Sequence, residues 1–357
     1  MRAPRFWWRQ GASPGSVLMT PVGAVVGAIA GRRIGAPARR RLNIPVVCIG
    51  NPTVGGAGKT PVAIAVAHLL ARNGQRPVFL TRGYRGRLAG PVEVKSTHCA
   101  SDVGDEPLLL ARYFPTVVAQ DRAAGGALAA TLGNVVVMDD GFQNPGLAKN
   151  FSVLVIDAAV GLGNGCVTPA GPMRAPFDAQ IPHADAVLLT HVAGDDATRC
   201  TLPALNVPCH TVVLRPKAPR NLAGVDVLAF AGIGRPEKFF RSLEGLGADV
   251  RVRYAFADHA LYDEDLASRL IGEAIARGLT LATTAKDAVR LRAGGPVGRK
   301  LTTRAVILDI DAELPPAFAD AVLAACGATG RGPNGARGRG VSGMDPALQD
   351  VRRWRVR

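Results

Sequence analysis

A chain of 357 residues, 48% of them hydrophobic, is long enough to build two domains with cores of their own. Its net charge of +15 would suit nucleic acid or an anionic surface, yet residues 1–45 carry eight arginines and no acid, and residues 327–357 carry seven arginines against Asp345 and Asp350. The basicity therefore sits in two terminal arms around a nearly neutral body, and with only 5% aromatics no stacking platform for nucleic acid is legible.

The first arm, residues 1–43, combines Phe6, Trp7 and Trp8 with an apolar stretch from Val17 to Ala30 and arginines at 32, 33, 39, 40 and 41. That stretch falls short of the roughly 20 residues a spanning helix needs, and Pro21, Gly23 and Gly27 are expected to interrupt it. The reading is a peripheral or monotopic arm, with aromatics at headgroup depth and arginines on an anionic membrane surface. A signal peptide cleaved after Ala30 and a helix packed on the protein itself are its rivals.

Next comes the apolar run Ile44–Ile49, then Thr53-Val54-Gly55-Gly56-Ala57-Gly58-Lys59-Thr60, then a helical pattern with Val62, Ile64, Ala65, Val66, Leu69 and Leu70. Strand, glycine loop, Lys-Thr and helix is the order of a phosphate-binding loop. The glycines let backbone N–H groups approach phosphate oxygens, Lys59 suits the β- and γ-phosphates, and the Thr60 hydroxyl suits Mg²⁺. Thr53 stands where such loops usually begin with glycine.

Strand-like runs over 44–49, 76–80, 134–138, 151–156 and 185–190 alternate with helical patterns, which predicts an α/β fold with a P-loop NTPase-type parallel sheet over 44–210. A second, smaller α/β lobe is read over 211–310, with strands at 225–230, 250–254 and 279–283. The runs 211–215 and 305–310 are read as a two-stranded connector. A C-terminal helix over 311–326 and a basic, disordered tail over 327–357 complete the chain. The six cysteines show no Cys-x-x-Cys and no clustering with histidine, which argues against structural zinc and a disulfide framework.

Polar clusters fall at strand ends, where open α/β sheets bind ligands. The run Asn134–Met138 leads into Asp139-Asp140-Gly141-Phe142-Gln143, a Walker-B arrangement that sets a carboxylate beside the metal of Thr60. Asp157, ending the next strand, is the competing candidate. Asp105 and Glu106 stand just before a helix read from Leu108, where capping is the bland alternative to catalysis. Asp258-His259 lies in a loop of the second lobe, and Arg82 and Arg174 lie in loops where guanidinium groups suit phosphates.

These motifs, in order, are Asn51–Pro61, Arg82-Gly83-Tyr84, Gly104–Pro107, Asp139–Gln143, Pro169–Arg174, Phe230–Gly234, Phe256–His259 and Thr283–Asp287. Together they resemble the tetraacyldisaccharide 4′-kinase family of lipid A synthesis over roughly residues 15–326. The resemblance implies transfer of the ATP γ-phosphate to the 4′-hydroxyl of an acylated glucosamine disaccharide 1-phosphate, with Mg²⁺, on the cytoplasmic face of the bacterial inner membrane. It implies Lys59 and Thr60 at phosphate and metal, Asp139 and Asp140 at the metal, and Asp105 as general base oriented by His259. Glu106 stands close by, and Arg82 and Arg174 near the phosphates or substrate. Thr53 is the family's own form of the loop, while Ala175 and Ala285 depart from its pattern. A nucleotide-driven switch or metallochaperone GTPase is the alternative, although no Asn/Thr-Lys-x-Asp guanine signature is present: Lys286 and Asp287 are adjacent.

Overall fold

The β-branched residues Val46, Val47 and Ile49 favour extended backbone, and β1 (Val46–Gly50) is buried at all five positions. In the computed structural model, which describes residues 4–327 apart from 10, 12, 194–199, 201 and 294, β1 lies inside a sheet of twelve strands. It is followed by β2 (Pro77–Thr81), β3 (Val92–Glu93), β4 (Thr116–Val118), β5 (Val135–Asp139), β6 (Phe151–Asp157), β7 (Ala186–Val192) and β8 (Cys209–Lys217). The second lobe adds β9 (Asp226–Ala231), β10 (Asp249–Ala255), β11 (Thr280–Thr284) and β12 (Val306–Glu313).

Across the sheet the order is β10-β9-β11-β12-β8-β7-β6-β1-β5-β2-β4-β3. Neighbours run parallel except at two places, the short edge pair β3/β4 and the pair β8/β12. The antiparallel β8/β12 seam joins two parallel halves, with Asp309 opposite Lys217 and Glu313 opposite Val213. Ion pairs Arg215–Glu313 and Lys217–Asp311 (3.2 Å) lace it on the solvent side. This is the expected P-loop sheet with a smaller α/β lobe and a two-stranded connector. The short strands β3 and β4 escaped the sequence reading because two or three residues carry no period.

The helices are α1 (Pro14–Ile34), α2 (Lys59–Arg72), α3 (Ala100–Val103), α4 (Asp105–Leu110), α5 (Arg122–Leu132), α6 (Phe177–Gln180), α7 (Pro236–Gly245), α8 (Glu264–Ala276), α9 (Ala285–Ala293), α10 (Gly295–Arg304) and α11 (Pro316–Ala325). Side chains alternate across β1, so Val47 and Ile49 meet the buried α2 stripe of Val62, Ala63, Val66, Ala67 and Leu70. Val46 and Cys48 face the opposite layer, with Ile34, Phe142, Leu147 and Phe177. Each fully buried valine or leucine there contributes roughly 1.5–3 kcal/mol. Both faces of the P-loop sheet are thus covered, which leaves the strand ends for the site.

The amino-terminal arm differs from expectation. Pro21, Gly23 and Gly27 do not interrupt it: α1 is one continuous helix of 21 residues, opened by a capping box between Ser13 and Ser16. Pro21 forgoes one backbone hydrogen bond, and the glycines serve contact instead. A Cβ on Gly23 would stand 2.8 Å from the Val167 carbonyl oxygen, and one on Gly27 3.3 Å from the Pro176 ring. That close seat against the 166–176 loop leaves the far side bare, with Leu18 73%, Val25 61% and Ile29 63% exposed. Among the described residues α1 is the one helix long and apolar enough to cross a membrane. Trp7, read as a headgroup anchor, is instead buried and donates its indole N–H to the Pro169 carbonyl at 3.0 Å. The tail over 327–357 lies, apart from Gly327, outside the described residues.

Candidate active site

The chain leaves β1 through Asn51, whose fully buried amide organises the glycine loop. Its Nδ2 donates to the carbonyls of Thr53 (2.5 Å) and Gly55 (3.2 Å), and its Oδ1 accepts from Lys59 Nζ at 2.9 Å. Thr53 is buried and paired with Met173 by a β-bridge, while Val54, Gly55 and Gly56 are exposed at the rim. The Ala57 carbonyl accepts from Thr190 Oγ1 at 2.8 Å, tying the loop to β7. Gly58 has φ of +82°, and a Cβ there would lie 2.9 Å from Leu214, so glycine is required on both counts. No side chain caps α2, which begins at Lys59, so its first N–H groups are left for an anion held in the loop.

The two aspartates at the end of β5 have different surroundings. Asp139 is buried; its Oδ2 accepts from Thr60 Oγ1 at 3.1 Å, and its Oδ1 is buried with no partner. Burial, only partly countered by Lys59, lifts its carboxyl to about 6. Asp140, at a left-handed φ of +59°, turns the other way. It takes both ends of the Arg174 guanidinium, at 2.8 and 3.1 Å, and lies 3.6 Å from Lys59 Nζ. Burial would raise its carboxyl, but Lys59 and Arg174 outweigh that and hold it at about 2. Desolvation in turn pushes the Lys59 ammonium down against the pull of Asp140. Arg174 also donates from Nε to the Thr53 carbonyl at 3.2 Å. Two cations are thus gathered at the loop mouth against one carboxylate.

A metal fits beside Thr60. An orphaned carboxylate oxygen next to a hydroxyl supplies the few hard oxygen ligands Mg²⁺ takes from protein when phosphates and water complete its shell. Among the described residues no group of three or more His, Cys, Asp or Glu forms a metal cage. The competing Asp157 is engaged elsewhere: its Oδ2 accepts from Arg235 (2.8 Å) and Lys238 (2.5 Å) of the second lobe. It is an interlobe anchor.

The second lobe reaches the site through α9 and the loop bearing His259. The helix read from Leu108 begins earlier, at Asp105, so both carboxylates lie in its first turn. Pro107 is tolerated there because the N–H it lacks would have no partner in the helix. His259 Nδ1 is 2.7 Å from Asp105 Oδ2, and its ring meets Tyr84 edge-on at 5.9 Å. His259 holds a left-handed φ of +60°, pinned by its N–H to the Gly232 carbonyl at 3.0 Å. Lys286 Nζ donates to Glu106 Oε1 at 2.8 Å, while Glu106 Oε2 is buried without a partner. Burial opposes ionisation of both groups, and the pairing prevails: Glu106 is held down and Lys286 up. Glu106 also acts on Asp139, and Lys286 on Lys59, so the two clusters share one electrostatic site.

A family model described as tetraacyldisaccharide-1-P 4′-kinase matches residues 15–327. The chain belongs to the tetraacyldisaccharide 4′-kinase family. A tetraacyldisaccharide 4′-kinase of Methylobacterium nodulans is 51% identical over 308 residues, covering 83% of this chain and 89% of that protein. One from Xanthobacter autotrophicus is 48% identical over 330 residues, covering 89% and 93%. The Aquifex aeolicus LpxK crystal structure in complex with ATP shares the fold, with a TM-score of 0.67 at 24% identity over 87% of this chain and 99% of that one. Family membership makes the chain an ATP-dependent kinase and disfavours the switch-GTPase alternative.

Within this family member, Lys59, Thr60, Asp139, Asp140 and Arg174 meet at the loop, and Asp105, Glu106 and His259 meet at the lobe boundary. Arg82 joins neither group: it is exposed, with no ion-pair or hydrogen-bond partner among the described residues. Sequence reasoning assigned no role to Asn51, Lys286 or Arg290. The legible signal for the last two was a helix turn with basic residues four apart around Asp287, all capable of facing one partner.

Proposed function

We propose that this chain transfers the γ-phosphate of ATP to the 4′-hydroxyl of a tetraacylated glucosamine disaccharide 1-phosphate, yielding lipid IVA for lipid A synthesis. The observation that supports this reading is the Asp105–His259 contact, in a cluster whose Glu106 and Lys286 act electrostatically on Asp139 and Lys59 at the phosphate loop. ATP phosphates would draw Lys59 and Arg174 from Asp140, and the free N–H groups of the loop and α2 would hold the β- and γ-phosphates. Thr60 and Asp139 would hold Mg²⁺, which supplies charge neutralisation on the β- and γ-oxygens. Asp105 takes the proton of the 4′-hydroxyl as its oxygen bonds to the γ-phosphorus and the bond to ADP breaks. His259, donating from Nδ1, holds Asp105 in aim, and because His259 comes from the second lobe the base is aimed only when the lobes are together.

The setting is the cytoplasmic face of the bacterial inner membrane. The exposed apolar side of α1 suits the acyl region of the bilayer, and the arginines at 32, 33, 39, 40 and 41 suit anionic headgroups. Mass spectrometry of the lipid after incubation with ATP and Mg²⁺ tests the assignment. Gain of one phosphoryl group at the 4′ position is the expected product; ATP hydrolysis with the lipid unchanged would sink it.

A further inference from the structure

Arg290 lies on α9, in the second lobe, with its side chain only 3% exposed. It is held on nearly every side. Nη2 donates to the Gly232 carbonyl at 2.8 Å and lies 2.9 Å from Asp287 Oδ1, and Nη1 donates to the Ala260 carbonyl at 3.1 Å. Asp287, fully buried, is itself fixed by the Tyr262 hydroxyl (2.7 Å), the Gly232 N–H (3.0 Å) and Thr284. Nε donates to the Lys286 carbonyl at 3.4 Å and also stands in an ion pair 3.2 Å from Asp105 Oδ2, across the lobe boundary.

We propose that Arg290 is a positioning residue for the base: it fixes the Asp105 carboxylate so that Oδ2 faces the second lobe and Oδ1 faces the acceptor hydroxyl. This rests on the reading of Asp105 as the base. Oδ2 receives both His259 Nδ1 and the charge of Arg290, whereas Oδ1 has no partner among the described residues. His259 alone leaves a carboxylate free to rotate about its bond to the histidine; a second contact on the same oxygen, from the Arg290 guanidinium, removes that freedom. The Gly232 carbonyl takes both the His259 N–H and Arg290 Nη2, so the two contacts to Asp105 are set by one rigid turn. Asp287 shares the Arg290 charge, so aim is gained without leaving a naked cation against the base.

Full-length Arg290→Gln, Arg290→Lys, Asp105→Ala and Asp105→Ala/Arg290→Gln proteins test this by steady-state phosphorylation of the acylated disaccharide, with thermal melting alongside. Arg290→Gln should lower kcat by about 10–100-fold, the scale of a misplaced reacting group, with KM for ATP unchanged. Arg290→Lys, which keeps the cation, should recover most of that loss. In the Asp105→Ala background Arg290→Gln should cost nothing further, because there is no base left to aim. A folded Arg290→Gln enzyme with normal kcat overturns the proposal, as does an undiminished extra loss in the Asp105→Ala background. A variant that does not fold assigns Arg290 to stability and overturns it too. If Asp105→Ala itself leaves kcat intact, the base assignment fails; if only the Arg290 results disagree, the positioning role alone falls.

Discussion

His259 Nδ1 stands 2.7 Å from Asp105 Oδ2, joining a second-lobe loop to the first turn of a P-loop-lobe helix across 154 positions of sequence. On the proposed assignment of Asp105 as base, the base is complete only when the two lobes are in contact. Asp105→Ala should lower kcat by roughly 10²–10⁴ with little change in ATP affinity. His259→Ala should lower it as well, and the double variant should be far less impaired than the product of the single losses. Multiplicative losses in steady-state kinetics would show two independent residues.

Lys59 reaches Asn51 and Asp140 from the first turn of α2, poised at the mouth of the loop. Lys59→Ala should depress kcat/KM by about 10³-fold or more, since a cation on the transferring phosphoryl group contributes several kcal/mol. Near-normal transfer by a folded variant would remove the phosphate-loop assignment.

Asp139 gives a pH signature. Its folded-state carboxyl is raised to about 6 from an ordinary 3.8, so the protonated form is the one the fold prefers. Its contribution to stability is therefore fully present below about 3.8 and lost as pH rises through about 6. In metal-free protein, Asp139→Asn should be more stable than the parent at pH 8, by on the order of 2–3 kcal/mol, and the advantage should shrink toward pH 4. Melting temperature across pH checks this. Mg²⁺ with nucleotide should stabilise the parent more than the variant, and equal stabilisation of both would place the metal elsewhere.

The bare side of α1 makes a separate prediction. Leu18→Asp, Val25→Asp and Ile29→Asp change exposed residues, so melting should be nearly unchanged while binding to anionic vesicles falls severalfold for each. Binding of the parent should also weaken as salt rises, because screening acts on the arginines. Salt-insensitive, carbonate-resistant attachment would instead mark α1 as a spanning helix.

The sequence by itself determined the local order of the site: an apolar strand into a glycine loop, Lys-Thr into a helix, and a strand ending in paired aspartates. These are signals of short range, carried by backbone freedom and apolar period within about ten residues. Even the β8/β12 connector was legible, because two apolar runs flanked the smaller lobe. Only tertiary structure decided how neighbours divide. Asp139 turns to Thr60 while Asp140, at φ of +59°, turns to Arg174 and Lys59, a split that no spacing encodes. It likewise gave Asp157 to Arg235 and Lys238, carried α1 intact through Pro21, and brought Arg290 to Asp105. Those outcomes depend on contacts between residues far apart in the chain, where burial and charge pairing, rather than local propensity, choose the partner.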